Sequence, residues 1–153
     1  MISAGDKAPS FELPDGDMTM IKSSDCDGKN YVVYFYPKDD TPGCTIEALD
    51  FTDLMSDFEA ANTAVVGVSK DNCVSHGKFR DKHGLTVRLL ADVEGKLCEA
   101  YGVWQEKEKN GVKKMGIVRS TFVIDKEGKL AEVIYGVSPE GHAQAMLETV
   151  QGL

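Results

Sequence analysis

The sequence predicts an α/β fold with a central mixed sheet flanked by helices. Two segments without charged residues, Tyr31 to Tyr36 and Ala64 to Val68, are typical of strands buried on both faces of a sheet. Between them, residues 42–60 carry apolar side chains at helical spacing. A strand, a helix and a second strand in this order form a right-handed unit with parallel strands. The loops that leave both strands then open onto the same edge of the sheet.

Helices and strands continue to alternate after this unit. The sequence predicts a helix from Asn72 to about His83, a short strand from Arg88 to Ala91 and a helix carrying residues 96–101. Lys, Glu and Gly are frequent from Gln105 to Gly116, which indicates an exposed insertion before the next strand.

A hairpin and a closing helix are predicted in the last third of the chain. The strands Ser120 to Asp125 and Leu130 to Tyr135 flank a turn at residues 126–129, which predicts antiparallel pairing. Ser138 is the predicted N-cap of the last helix and Pro139 its first residue. The apolar stripe of this helix consists of Ala143, Met146, Leu147 and Val150. The complete order is that of a thioredoxin-like fold with an N-terminal extension and an insertion.

Length and composition favour one soluble globular unit. The 153 residues suffice for one sizeable core but not for two ordinary domains, so residues 1–153 are predicted to form a single domain. Apolar residues make up 42% of the chain and charged residues 27%, which are ordinary values. The net charge of −8 repels nucleic acid and anionic membranes, so neither is an expected partner.

The cysteines and the N-terminus indicate a reducing compartment. The segment Met1 to Lys7 is not a basic stretch followed by an apolar run, and we expect a cytoplasmic protein without a membrane span. The cysteines form neither a CxxC pair nor a zinc-binding pattern, and they are too sparse for a secreted disulfide scaffold. They are Cys26, Cys44, Cys73 and Cys98. We therefore expect thiols rather than permanent disulfides.

Cys44 follows the first strand directly and lies at the predicted start of a helix. With Thr41 as the N-cap, Pro42 and Gly43 take the first two helical positions and Cys44 the third. The unpaired N–H groups and the dipole of a helix N-terminus favour a thiolate. The Thr41 hydroxyl is expected to accept from an early helix N–H or to donate to the sulfur. Spacing alone leaves open whether Cys44 is reactive or an inert buried cysteine.

The residues around Cys44 resemble those of a known family. The segment Val32 to Phe51 closely resembles the peroxiredoxins of the bacterioferritin-comigratory, or peroxiredoxin Q, subfamily. Further matching segments extend over nearly the whole chain. They are Gly5 to Phe11, Gly67 to Asp71, Tyr101 to Trp104 and Met115 to Phe122.

The resemblance implies peroxide reduction without metal, haem or flavin. The family's motif falls on Pro37, Thr41 and Cys44, and its partner arginine falls on Arg119. The Cys44 thiolate would attack hydrogen peroxide or a small organic hydroperoxide and become a sulfenic acid. Arg119 would favour the thiolate and stabilise charge on the leaving oxygen. Thr41 would orient the sulfur and the peroxide, and Pro37 would shield the thiolate from water.

Other charged residues have simpler interpretations. Without the motif, Arg119 would be a surface residue that opens a strand. Glu47 could pair with an arginine or complement the helix dipole, and the second interpretation is preferred. The histidines show no metal-binding spacing, so we expect solvated helix positions and no metal site. They are His76, His83 and His142.

The chain departs from its relatives in its resolving cysteine. Many members carry this cysteine at the position of Leu49, and others at the position of Arg80, and both cysteines are missing here. Cys73 is the preferred substitute because it lies near the start of the same predicted helix as Arg80, at the edge that bears Cys44. A disulfide needs Cα atoms within about 7 Å, so local unwinding would be required.

Alternatives to Cys73 remain open. Cys98 is a less favoured resolver because a core position is expected for it, and Cys26 lies in a turn where we expect exposure. If no cysteine of the chain reaches the sulfenic acid, an external thiol completes each turnover. The expected reductants are thioredoxin, glutaredoxin or a low-molecular-weight thiol, and the expected state is a monomer.

Two other functions compete with peroxide reduction. A thiol–disulfide oxidoreductase is disfavoured by the absence of a CxxC motif. A peroxide sensor or holdase would expose a binding surface on oxidation. The resemblance favours the thiol peroxidase.

Overall fold

The computed structural model describes residues 2–153 and shows the predicted mixed sheet flanked by helices. The strands are β1 (Glu12–Pro14), β2 (Met20–Lys22), β3 (Asn30–Phe35), β4 (Thr63–Ser69), β5 (Arg88–Ala91), β6 (Trp104–Lys109), β7 (Val112–Ile117), β8 (Ser120–Ile124) and β9 (Leu130–Tyr135). The helices are α1 (Pro42–Asp53), α2 (Met55–Ala60), α3 (Cys73–His83), α4 (Lys96–Ala100) and α5 (His142–Gln151), with a 3₁₀ turn at Ser23–Cys26.

The central sheet has the strand order β5-β4-β3-β8-β9. Strands β3, β4 and β5 run parallel, and β8 pairs antiparallel with both β3 and β9. The predicted parallel unit and the predicted hairpin are therefore confirmed. Because β3 and β4 are parallel neighbours, α1 and α3 both begin beyond the same edge of the sheet.

Strand β3 is buried on both faces, as its sequence predicts. Val32 and Tyr34 pack into the apolar cluster under α1, α2, α3 and α5, whereas Val33 and Phe35 pack on the opposite face with α4. All four side chains are at most 1% exposed. Burial on both faces holds the end of β3 rigidly, and the loop that leads to Cys44 starts from this end.

The single helix predicted over residues 42–60 is wrong, because the chain breaks it at Leu54. The φ and ψ angles of Leu54 are −102° and 5°. Its N–H donates to the carbonyl of Phe51 at 3.1 Å, so the last turn of α1 tightens and α2 begins separately. Phe51 and Phe58 remain fully buried on the two pieces.

The closing helix begins at His142 rather than at Pro139. Gly141 has a φ of 75°, which interrupts a right-handed helix directly before His142. The Ser138 hydroxyl contacts the exposed Glu140 carboxylate at 3.2 Å instead of capping the helix. The predicted cap is therefore wrong. The predicted apolar stripe is confirmed, and its members Ala143, Met146, Leu147 and Val150 are all buried.

The insertion between α4 and β8 is exposed, as predicted, and it forms the antiparallel hairpin β6–β7. Among residues 2–153, no helix is long and apolar enough to cross a membrane.

Candidate active site

Cys44 occupies the predicted third position of α1. Thr41 is the N-cap, with extended φ and ψ angles of −101° and 156°, and Pro42 opens the helix. The predicted hydrogen bonds of the Thr41 hydroxyl are wrong, because within residues 2–153 this hydroxyl accepts from no helix N–H and donates instead to the carbonyl of Lys38 at 2.8 Å. One hydroxyl hydrogen cannot also reach the sulfur, so Thr41 here stabilises the turn that leads into the helix.

Arg119 is distant from Cys44 in the sequence but contacts it in the folded protein. It lies directly before β8, and its Nη2 donates to the Cys44 Sγ at 3.3 Å while its Nη1 donates to the Glu47 Oε1 at 2.8 Å. The Arg119 side chain is 15% exposed and that of Glu47 is fully buried. A surface position for Arg119 is thereby excluded. The preferred interpretation of Glu47, a partner for the helix dipole alone, is wrong because Glu47 pairs with Arg119.

Burial changes the pKa values of Glu47 and Arg119 next to Cys44. Burial raises the pKa of Glu47 to about 7, although the Arg119 guanidinium opposes the increase. Within the described chain, the Glu47 Oε2 has no hydrogen-bond partner, which favours the protonated form of this carboxyl. Burial alone would lower the pKa of Arg119, but the negative charges of Glu47 and Cys44 raise it. The guanidinium therefore stays charged next to the sulfur.

Gly43 leaves space for the guanidinium. A Cβ atom at Gly43 would lie 3.1 Å from the Arg119 Nη2 and 3.2 Å from the Pro139 Cγ. Both distances are tighter than ordinary van der Waals contacts. The segment before α5 thus packs over the first turn of α1, and a larger residue at position 43 would displace Arg119 or Pro139.

Pro37 and the candidate resolving cysteine lie at the same edge of the sheet. Pro37 follows β3 and is exposed, and its shielding of Cys44 stays a prediction. Cys73 is the first residue of α3 and is half-buried. Between residues 2 and 153, all four cysteines are free thiols. The parallel pairing of β3 and β4 brings the two helix starts to one edge, as predicted, and no disulfide joins them.

The remaining cysteines are in the core. Cys98 is fully buried, and burial together with the neighbouring Asp92 raises the pKa of its thiol. Its predicted core position is confirmed. Cys26 is only 7% exposed, so its predicted exposure is wrong. Its turn forms a 3₁₀ helix that packs the sulfur inwards, and burial raises the pKa of this thiol as well.

The histidines do not occupy solvated positions. His76 is fully buried, and its Nδ1 lies 2.7 Å from the Asp39 Oδ2. His142 is 8% exposed and contacts the Thr121 hydroxyl at 2.8 Å. Burial, reinforced by the positive charge of Arg119, lowers the pKa of His142 to about 4. His83 is partly buried beside Asp40. The prediction of solvated histidines is therefore wrong.

A signal for part of this arrangement was present in the sequence. His76 and His83 are seven residues apart, which places them on one face of α3, two turns from each other. Asp39 and Asp40 directly precede the turn into α1. Two acids before the cysteine helix and two histidines on the neighbouring helix could have indicated contact between these elements.

Comparison with known proteins places these features in a family. The AhpC/TSA family model matches residues 4–133. Peroxiredoxin Bcp of Bacillus subtilis is 46% identical over 152 residues, which cover 99% of this chain and 97% of that protein.

Two solved structures have the same fold over nearly the whole chain. A cysteine-to-serine mutant of PrxQ from Xylella fastidiosa has a TM-score of 0.94 and 36% identity, covering 99% of this chain and 97% of that one. The bacterioferritin comigratory protein of Xanthomonas campestris has a TM-score of 0.88 and 37% identity, covering 93% and 90%. The chain therefore belongs to the AhpC/TSA family, and within it to the Bcp or peroxiredoxin Q group of thiol-dependent peroxidases.

Proposed function

We propose that Cys44 is the residue that attacks the hydroperoxide. The observation that carries this proposal is the 3.3 Å contact between its Sγ and the Arg119 guanidinium at the start of α1. The thiolate sulfur bonds to the distal peroxide oxygen and the O–O bond breaks. The leaving oxygen takes a proton and departs as water or an alcohol. Sulfur loses two electrons and becomes a sulfenic acid.

Arg119 supports both ends of this reaction. Its fork of donors can hold the thiolate before the attack and stabilise the charge that develops on the leaving oxygen. Glu47 positions the fork through the 2.8 Å ion pair. Thr41 acts through the turn it closes on Lys38, and Pro37 shields the sulfur from water.

The proposed substrates are hydrogen peroxide and small organic hydroperoxides. The X. campestris relative is described by its alkyl peroxide reduction activity, which supports an organic substrate here. We place residues 1–153 as one domain that acts as a monomer in the cytoplasm without a cofactor or metal. Thioredoxin, glutaredoxin or a low-molecular-weight thiol supplies the reducing equivalents.

A single-turnover experiment tests the role of Cys44. Reduced protein receives one equivalent of hydrogen peroxide, and the remaining peroxide is measured. We expect Cys44→Ser to consume none and the control Cys26→Ser to consume peroxide like the wild type, because Cys26 lies in the other apolar cluster. Undiminished consumption by Cys44→Ser would contradict the proposal.

The same sample distinguishes the two routes of resolution. After immediate blocking of free thiols, loss of two hydrogens with Cys44 linked to Cys73 in the peptide map would identify Cys73 as the resolver. Gain of one oxygen on Cys44 alone would identify a one-cysteine cycle that needs an external thiol.

A further inference from the structure

The exposed hairpin β6–β7 leads directly into the segment that carries Arg119. Strand β7 ends at Ile117 and β8 begins at Ser120, so only Val118 and Arg119 form the corner between the two strands. The position of the end of β7 is therefore passed on to the backbone of Arg119 within two residues.

The carbonyl of Ile117 lies outside the hydrogen-bond ladder of the hairpin. The Val118 N–H donates to the Val103 carbonyl at 2.8 Å, which makes these two residues a hydrogen-bonded pair. Hydrogen-bonded and non-hydrogen-bonded pairs alternate in an antiparallel ladder, so the next pair, Trp104 and Ile117, exchanges no backbone hydrogen bonds. The Ile117 carbonyl thus points away from β6. Ile117 is 3% exposed, so little water reaches it and the carbonyl needs a donor from the protein.

Lys107 supplies this donor from the opposite strand. Its Nζ donates to the Ile117 carbonyl at 2.6 Å, although the register of the hairpin places Lys107 opposite Lys114. The stem of the lysine runs across Gly116. A Cβ atom at Gly116 would lie 3.1 Å from the Lys107 Cδ and 4.0 Å from its Nζ. The missing side chain of Gly116 therefore leaves open the path that the lysine follows.

The rest of the corner is held from other parts of the chain. The Ser120 hydroxyl donates to the Val118 carbonyl at 2.7 Å. The N–H groups of Gly136 and Val137 donate to the Arg119 carbonyl at 3.0 and 2.8 Å. All three consecutive carbonyls that lead into β8 thus accept a hydrogen bond, and the first of these bonds comes from the hairpin.

Lys107 also shares the electrostatic environment of the active site. Partial burial lowers the pKa of Lys107, the positive charge of Arg119 lowers it further, and the negative charge of Cys44 opposes both effects. Charges act on a lysine of an exposed hairpin only over a short distance, because solvent and salt screen them. These influences agree with a side chain that extends over Gly116 towards the end of β7.

The base of the hairpin is fixed without Lys107. The Lys70 Nζ lies 4.0 Å from the centre of the Trp104 ring, a favourable cation–π contact. The Gln105 amide donates to the Gly102 carbonyl at 2.8 Å. Loss of the Lys107 bond would therefore leave the hairpin in place and release only the end of β7, so variants of Lys107 should fold.

We propose that Lys107 is a positioning residue for peroxide reduction, because its bond to the Ile117 carbonyl holds the corner that presents the Arg119 guanidinium to Cys44. This inference rests on the proposed role of Cys44. The two guanidinium contacts, with the sulfur at 3.3 Å and with Glu47 at 2.8 Å, depend on where the backbone of Arg119 lies. A small displacement of such a group is enough to slow a reaction. Lys107 acts through Arg119 and is not a catalytic group.

Three variants test this bond. Lys107→Met keeps an unbranched stem but loses the donor and the charge. Gly116→Val keeps the lysine and its charge but places a branched side chain on the path of its stem; within residues 2–153, the atoms near a Cβ at this position belong to Lys107. Lys113→Met is the control because it removes the same charge from the opposite face of the hairpin, where Lys113 lies 4.0 Å from the exposed Glu106.

The second-order rate constant for oxidation by hydrogen peroxide is measured for each protein. We expect Lys107→Met and Gly116→Val each to lower it about fivefold, the factor that corresponds to one typical hydrogen bond. Lys113→Met should match the wild type. The double variant Lys107→Met/Gly116→Val should be no slower than Lys107→Met, because no bond is left to displace. An unchanged rate constant in Gly116→Val would show that only the charge of Lys107 matters and would overturn the proposal.

A second comparison shows whether Lys107 acts through Arg119. In the Arg119→Lys background the guanidinium contacts are already lost, so Lys107→Met should change the remaining rate constant less than about twofold. A loss of about fivefold in both backgrounds would overturn the proposal, because a general loosening of the fold would act equally in both.

Amide hydrogen exchange provides a readout that requires no peroxide. Residues 116–120 should exchange faster in Lys107→Met than in Lys113→Met, because the corner loses a bond only in the first variant. Equal exchange in the two variants would overturn the proposal. A wild-type protein that consumes no peroxide would instead refute the role of Cys44, so the two failures are distinguishable.

Discussion

Replacement of Glu47 by glutamine should change the pH dependence of stability in a defined direction. Burial raises the pKa of Glu47 from 4.5 to about 7 in the folded protein. Between these values the folded state binds more protons than the unfolded state, so this residue reduces stability as the pH rises through the interval. The pKa difference corresponds to about 3 kcal/mol of unfolding free energy. Glutamine does not titrate, so the Glu47→Gln variant should lose none of this unfolding free energy as the pH rises.

Urea unfolding of both proteins at several pH values between 4.5 and 8 measures this effect. The difference in unfolding free energy between wild type and Glu47→Gln should move by about 3 kcal/mol in favour of the variant as the pH rises. The difference is the useful quantity because other groups titrate in both proteins and cancel. The exposed Glu148→Gln should show no such trend. A constant difference between wild type and Glu47→Gln would refute the assignment of a buried carboxyl whose pKa is raised to about 7.

Three further substitutions probe the surroundings of Cys44. Arg119→Lys removes the two guanidinium nitrogens that reach the sulfur and Glu47, so the second-order rate constant for reaction with hydrogen peroxide should fall about 100-fold. Stopped-flow kinetics measures this constant. An unchanged constant would show that a single positive charge is sufficient. Gly43→Ala should lower this rate constant about tenfold because the new methyl group displaces Arg119 or Pro139. A crystal structure of the variant in which both residues keep their positions would contradict this explanation. His142→Asn removes a group whose pKa is lowered by burial from 6.5 to about 4. The free energy of unfolding of the wild type should therefore decrease by about 3 kcal/mol, relative to that of the variant, as the pH falls through this interval. Parallel pH profiles of the two proteins in urea unfolding would show that His142 does not cause such a decrease.

Local sequence determined the elements and the position of Cys44. The apolar run of β3 and the Thr-Pro-Gly start of α1 act over a few residues. Chain stiffness, capping and burial therefore fix their conformation with little dependence on the rest of the fold. The order of elements then places the starts of α1 and α3 at one edge, because parallel strands connected by helices have one handedness. The identity of the arginine partner came from resemblance, since spacing alone would have left Arg119 on the surface.

Only the tertiary structure decided the contacts that tune the site. Arg119 and Cys44 are 75 positions apart, and Asp39 and His76 are 37 apart, so no local pattern encodes either pair. Whether Glu47 complements a helix dipole or pairs with a guanidinium depends on burial. Burial is a property of the packed elements and not of one helix. The charge on a side chain is known from the sequence, but the medium and the partner that set its behaviour exist only after the chain has folded.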